Sequence, residues 1–192
     1  GFAGGVAAIA AGGYHTCALT TAGGVKCWGY NSTGQLGDNT NTQRLTPVDV
    51  SGLASGVAAI TAGALHTCAL TSAGGMKCWG DNQYGQLGLG DTAVRGDNAG
   101  EIAALPNVNL GTGRTPMWVV GDELYSCAIL DNGNVKCVLV NGHEAQLLSG
   151  SHGEWQGTLH NIQPGAVRPT AHAQDEAGKV PPNRNELTLA IC

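Results

Sequence analysis

The sequence predicts an all-β fold assembled from stacked copies of one unit, and three observations carry that prediction. Gly5–Gly37 and Gly56–Gly88 align without a gap, identical at 25 of 33 positions and offset by 51 residues. Each copy is a series of short apolar runs separated by glycine-bearing turns, the pattern of strands and hairpins. No segment holds a sustained helical period with caps. A fixed period of about 50 residues suits a propeller blade or one turn of a solenoid.

Taken in order, "GVAAIAAG" is apolar and bounded by glycine, and "HTCAL" and "VKCWG" flank the turn "TTAGG". "GQLG" then follows a second glycine-bearing turn. Three or four strands per copy is the size of one blade. A third, weaker copy, "YSCAILDNGNVKC" from Tyr125, begins 59 residues after its counterpart in the second. The longer connection "GDTAVRGDNAGEIAALPNVNLGTGRT" absorbs the difference. The expected units are residues 1–55, residues 56–114, a degenerate third copy over 115–148, and a non-repeat tail or cap over 149–192.

The chain has 192 residues, 42% of them hydrophobic, with a net charge of -5. That composition is neither disordered nor basic, so a nucleic-acid backbone is not the expected partner. No apolar run approaches the roughly 18 residues of a membrane span. The N-terminal "GFAGGVAAIAAGG" lacks Met and a basic region and is not read as a signal peptide. The chain is expected to start inside a longer protein or after processing.

Six of the seven cysteines fall at one spacing in the three copies. A hairpin in register about Ala22 sets Cys17 opposite Cys27, and the same register pairs Cys68 with Cys78 and Cys127 with Cys137. Directly opposed antiparallel residues lie within the span a disulfide bridges. Buried free thiols and zinc ligation are the alternatives, but the long gap within each pair does not fit a structural zinc site. Disulfides imply an oxidising compartment, hence an extracellular or cell-surface location. Cys192 is left over. The triplet Asn31-Ser32-Thr33 adds a glycosylation sequon.

The runs "GGYHTCALTTAGGVKCWGYNSTGQLG" and "GALHTCALTSAGGMKCWGDNQYGQLG" resemble the repeat of the regulator-of-chromosome-condensation family, in a secreted, cysteine-containing form. His15, Trp28, Gly29, Asn31 and Gly34–Gly37 fall in place, as do His66, Trp79, Gly80, Asn82 and Gly85–Gly88. The resemblance covers about residues 5–137 and implies a partial β-propeller, with missing blades supplied by a longer chain or by self-association. It also implies a non-enzymatic scaffold that binds a protein or cell-surface partner. An accessory propeller of a larger secreted enzyme, or a nucleotide-exchange factor for a small GTPase, are the alternatives.

Nothing in the sequence reads as an active site, a cofactor cradle or a metal centre. His15 and His66 are expected to pack and hydrogen-bond to a neighbouring blade, and Trp28 and Trp79 to be core residues. His143, His152, His160 and His172 match no compact metal motif. Positions that differ between copies inside a fixed frame are free of the scaffold and can meet a partner. These are Tyr30, Ser32 and Thr33 against Asp81, Gln83 and Tyr84, together with the connections Asn39–Arg44 and Asp91–Asn98. Residues 149–192 carry neither Trp-Gly nor Gly-Gln-Leu-Gly and are expected to be cut first by protease, within Ser149–Arg184.

Overall fold

The fold is three antiparallel sheets, one for each copy of the repeat, met in chain order in a computed structural model. It describes Phe2, residues 4–138, and the backbone of two further strands, Glu144–Leu148 and Gln156–Gly157. The expectation for cleavage within Ser149–Arg184, the tail histidines and Cys192 therefore lie outside the residues described, apart from the short strand at 156–157.

The first sheet contains β1 (Val6–Ala11), β2 (His15–Thr20), β3 (Val25–Gly29) and β4 (Arg44–Asp49), in that order. The second contains β5 (Val57–Ala62), β6 (His66–Thr71) and β7 (Met76–Gly80). Its fourth position is taken by irregular chain, where Arg95 pairs with Gly80 and the Val108 amide donates to Met76 O at 2.7 Å. A short helix, α1 (Glu101–Ala104), lies in the connection before β8. The third sheet contains β8 (Pro116–Gly121), β9 (Ser126–Leu130) and β10 (Val135–Val138). It continues through β11 (Glu144–Leu148) to β12 (Gln156–Gly157). The third copy thus goes on past the point where its side-chain motif decays, because Cys137 registers with Ala145 and Lys136 with Gln146. Ladder hydrogen bonds use only the backbone and do not need Trp or Gly-Gln-Leu-Gly.

Thr20 N–H donates to Gly24 O at 2.8 Å across the first hairpin turn. Hydrogen-bonded and non-bonded pairs alternate from there, so Cys17 and Cys27 form a closer, non-bonded pair, with Cα atoms 4.1 Å apart. Thr71 to Gly75 and Leu130 to Asn134 repeat this turn bond. The structure joins Cys17–Cys27, Cys68–Cys78 and Cys127–Cys137 as disulfides, each within its own hairpin. Non-reducing peptide mapping is expected to find those linkages, and labelling of any of these six cysteines by a thiol reagent without reductant would refute them.

Strand periodicity gives each sheet two faces, and every core lies between one sheet and the next. The trailing face of the first sheet offers Cys17, Leu19, Val25 and Cys27. It packs on Val57, Ile60, Ala69 and Trp79 from the leading side of the second. The trailing face of the second sheet offers Cys68, Leu70, Met76 and Cys78. Those meet Val119, Ala128, Leu130 and Val138 of the third. A disulfide therefore lies in each layer between sheets.

The sheets approach closely at the β1–β2 and β5–β6 turns. A Cβ on Gly63 would lie 2.4 Å from Asp122 O of the third sheet and 2.1 Å from the His66 ring. Any side chain there would push the two sheets apart, so the position requires glycine.

Candidate functional site

The β1–β2 turn and the chain after β3 leave the sheet at the same end, because His15 registers with Gly29. That end carries the positions that vary between copies, and it is the candidate contact surface. Its frame is the loop over Asn31–Gly37, organised by one buried side chain. Asn31 Oδ1 accepts from Leu36 N at 2.9 Å. Its amide nitrogen is shared among Asp38 Oδ1 at 3.0 Å, Thr40 O at 2.8 Å and Thr42 O at 3.1 Å. Asn82 repeats the arrangement with Leu87, Asp91 and Ala93. Asp38 is further held by Arg44 Nε at 2.7 Å. Burial alone would raise its pKa, but hydrogen bonds from Thr40, Arg44 and Asn31, with the Arg44 charge, hold it below the usual carboxylate value.

This geometry corrects the glycosylation expectation. Asn31 is fully buried and its Nδ2 is the centre of the loop, so a glycan there would break the frame. Material expressed in a glycosylating host should carry no glycan at Asn31, as read by intact mass before and after glycosidase treatment. Asn31→Ala should cost about 2–3 kcal/mol, because it strands buried backbone groups.

Two of the six proposed contact residues are also corrected. Asp81 is buried and serves the frame, since its Oδ2 accepts from Gln86 Nε2 at 2.9 Å and its Oδ1 from Gln83 N at 3.3 Å. Tyr30 occupies that place in the first copy and makes no such bond. Gln35 Nε2 is accordingly buried without a hydrogen-bond partner among the described residues. Thr33 is half-buried, its hydroxyl donating to Gln35 Oε1 at 3.0 Å. Tyr30, Ser32, Gln83 and Tyr84 are exposed. The sequence reasoning passed over Tyr14, which is exposed beside Tyr30 with ring centroids 6.1 Å apart. A signal existed, because Tyr14 stands opposite Leu65 as another position that differs between the copies.

The histidines lie beneath this surface, between sheets. His15 Nε2 meets Thr67 Oγ1 of the second sheet at 2.8 Å, and His66 Nε2 meets Ser126 Oγ of the third at 2.8 Å. Thr67 donates its proton to Gln35 O at 2.8 Å, so His15 Nε2 is left as the donor of a neutral imidazole. Burial pushes the pKa of both histidines down to about 4; the His15 charge adds to the lowering at His66 and Asp122 opposes it. Tyr125 replaces the histidine in the third copy. Its hydroxyl donates to Asp122 Oδ2 at 2.6 Å, and burial, with that bond, pushes its pKa up to about 12.

Trp79 is fully buried, its indole N–H donating to Gln35 O of the preceding sheet at 3.1 Å. Trp28, expected to be core, is only half-buried and touches Phe2 edge-on at 6.0 Å. The two differ because a preceding sheet covers Trp79, while none of the described sheets precedes Trp28. Among the described residues, no group of three His, Cys, Asp or Glu side chains could hold a metal ion, and no helix is long and apolar enough to cross a membrane.

Comparison with known proteins assigns the architecture. Family models described as the regulator of chromosome condensation (RCC1) repeat match residues 6–35 and 57–86, and a second such model matches 22–70. A human probable E3 ubiquitin-protein ligase, HERC4, is 40% identical over 85 residues, which are 43% of this chain and 8% of that protein. The ultraviolet-B receptor UVR8 of Arabidopsis thaliana is 40% identical over 88 residues, 45% of this chain and 20% of the receptor. This chain thus spans a small fraction of those relatives. Among solved structures, human WBSCR16 superposes with a TM-score of 0.66 at 16% identity, over 84% of this chain and 49% of its own. Yeast RCC1 (Prp20), solved with Kap60 bound, gives 0.61 at 20% identity, over 100% of this chain and 38% of its own. Within residues 6–86 the chain thus matches the repeat of the regulator of chromosome condensation family, and its fold is that of a section of a β-propeller.

Proposed function

We propose that this chain is a non-enzymatic protein-interaction module that works outside the cell or at its surface. One observation carries the reading. Tyr14, Tyr30, Ser32, Gln83 and Tyr84 stand exposed at one end of the sheets, on loops whose polar frame is closed on itself by Asn31 and Asn82. Exposed tyrosines give large contact area at small entropic cost, and rigid sheets hold them in place. The yeast relative offers an analogy at the level of the fold, since structural work on Prp20p describes binding to Gsp1p and histones. The oxidising location rests on the three disulfides.

Tyr30→Ala and Tyr84→Ala are both made at exposed positions and should leave the melting temperature within a degree or two of the parent. Each should weaken capture of a protein partner by at least about tenfold when crosslinked complexes from the protein's own source are quantified. Capture unchanged in the double variant would remove this surface from the reading.

A further inference from the structure

The third hairpin closes its turn differently from the other two, and the difference falls on one side chain. In the first two copies a threonine at the strand end serves the turn. Gly24 N donates to Thr20 Oγ1 at 2.9 Å, and Gly75 N to Thr71 Oγ1 at 3.0 Å. Leu130 holds that place in the third copy and has no side-chain acceptor. The corresponding amide, Asn134 N, donates instead to Asn132 Oδ1 at 3.1 Å. Asn132 stands where the other copies have Ala22 and Ala73, and Gly133 follows it. Among the described residues no other asparagine precedes a glycine.

A bond from an asparagine oxygen to the amide two residues on folds the side chain over the intervening peptide. That brings Asn132 Cγ toward the nitrogen of Gly133, which has no Cβ to crowd the approach. The Asn134 N–H already rests on the oxygen that takes up negative charge when that nitrogen adds, and such a donor lowers the barrier to attack on a carbonyl. Water reaches the place. Asn132 is exposed, and so is Ala73 at the tip of the second hairpin, which has a described sheet on either side. Exposure here therefore belongs to the hairpin tip and does not depend on what lies beyond the third sheet. One interaction opposes the attack, because Gly133 N donates to Leu130 O at 2.9 Å. A hairpin tip opens at far lower free energy than the whole fold, and the Cys127–Cys137 bond keeps the two strands together meanwhile.

We propose that Asn132 is a self-modifying site, which deamidates without an enzyme to aspartate and isoaspartate. The Gly133 nitrogen loses its proton to water or hydroxide and bonds to Asn132 Cγ. The Cγ–Nδ2 bond breaks and Nδ2 leaves as ammonia, giving a five-membered cyclic imide. Water then opens the ring at either carbonyl. The net change consumes one water and releases one ammonia, with no oxidant or reductant. Opening at Cγ leaves aspartate. Opening at the backbone carbonyl leaves isoaspartate, whose main chain runs through the former side chain and is one methylene longer. Either product adds a negative charge beside Asp131, which Arg114 Nη1 meets at 3.4 Å. Isoaspartate also draws the acceptor away from Asn134 N, so the tip loosens while the disulfide holds the base. The inference is independent of what the tyrosine loops bind.

The test is to hold the full chain at 37 °C in buffers of pH 6, 7 and 8, then reduce, alkylate and cut it with trypsin. The fragment from Thr115 to Lys136 contains Asn132 and Asn134 as its only asparagines, which separates this site from the Asn-Gly pair at 141–142. Mass spectrometry should find Asn132 converted at least about tenfold faster than Asn134, where the β-branched Val135 crowds the attacking nitrogen. The rate should rise with pH, and isoaspartyl methyltransferase should label the product. Asn132→Ser keeps an oxygen for Asn134 N but has no amide to lose. It should melt within a degree or two of the parent, as an exposed substitution does, and its fragment should stay unmodified. Unfolded in urea with its disulfides reduced, the parent should convert no more than about tenfold faster than when folded, since one turn hydrogen bond is all that holds the folded chain back. Conversion at Asn132 no faster than at Asn134, conversion confined to the unfolded chain, or a modified fragment from Asn132→Ser would each overturn the proposal.

Discussion

Acidifying a solution of this protein from pH 7 to pH 4.5 is expected to strip several kcal/mol from its stability, through two histidines alone. His15 and His66 are buried between sheets and held near pKa 4, against 6.5 for a free histidine. The unfolded chain therefore binds more protons than the folded one between about pH 6.5 and 4. Stability from this source is complete above the unfolded value and falls as pH drops through that window. It levels off below the folded value. At pH 4.5 the loss is about 2–3 kcal/mol for each histidine, against a typical total of 5–15. Urea titrations at pH 7, 5.5 and 4.5 should show the midpoint falling steeply. His66→Gln, which cannot charge, should cost stability at pH 7 yet roughly halve the pH slope. A midpoint flat between pH 6.5 and 4.5 would show that the imidazoles are not kept neutral by burial.

Truncating Trp79 should be the most damaging single change in the described region of the molecule, while the same change at Trp28 should be mild. Trp79→Ala empties a fully buried site between the first two sheets and removes the bond to Gln35 O, a loss of about 3–5 kcal/mol. Trp28→Ala removes a half-buried ring in edge contact with Phe2 and should cost about 1 kcal/mol. Comparing the two by chemical denaturation in dilute solution isolates the effect of the preceding sheet, because the local sequence "KCWG" is the same. Equal losses would mean that the layer between sheets does not hold Trp79 as described.

That pair of tryptophans also marks what could be read from residues alone. The repeat, its strands, the hairpin register about Ala22 and the bonding of His15 and His66 to a neighbouring sheet follow from spacing and periodicity, though the hydroxyl partners Thr67 and Ser126 do not. The difference between Trp28 and Trp79 does not, because identical neighbours in sequence meet different neighbours in space. Asp81 and Asn31 were misplaced for a related reason. Variation at Tyr30/Asp81 looked like freedom from the scaffold, yet Asp81 takes up the Gln86 amide, whereas Tyr30 makes no such bond to Gln35 in the first copy. The sequon at Asn31 names a residue type without its burial. The strand Glu144–Leu148 was missed because the motif is written in side chains, whereas strand pairing is written in backbone hydrogen bonds. Of the proposed contact residues, the exposed Tyr30, Ser32, Gln83 and Tyr84 were picked out by comparing the copies, and the exposed Tyr14 could have been picked out in the same way.

Among the described residues, each disulfide ties a hairpin to itself, at a sequence separation of 10, and none crosses from one sheet to another. Apart from the backbone that links them, the described sheets are thus held together noncovalently, and the consequence is mechanical. Under tension applied at the two ends, the layers should separate in succession while every hairpin stays knotted at its base. From Cys27 to Cys68 the chain can extend freely, to at most about 150 Å at the reach of an extended backbone. The locked hairpins contribute almost nothing until a reductant is added. Stretched in this way, the molecule behaves as knots on a string, yielding in steps whose length is set by the connections between blades.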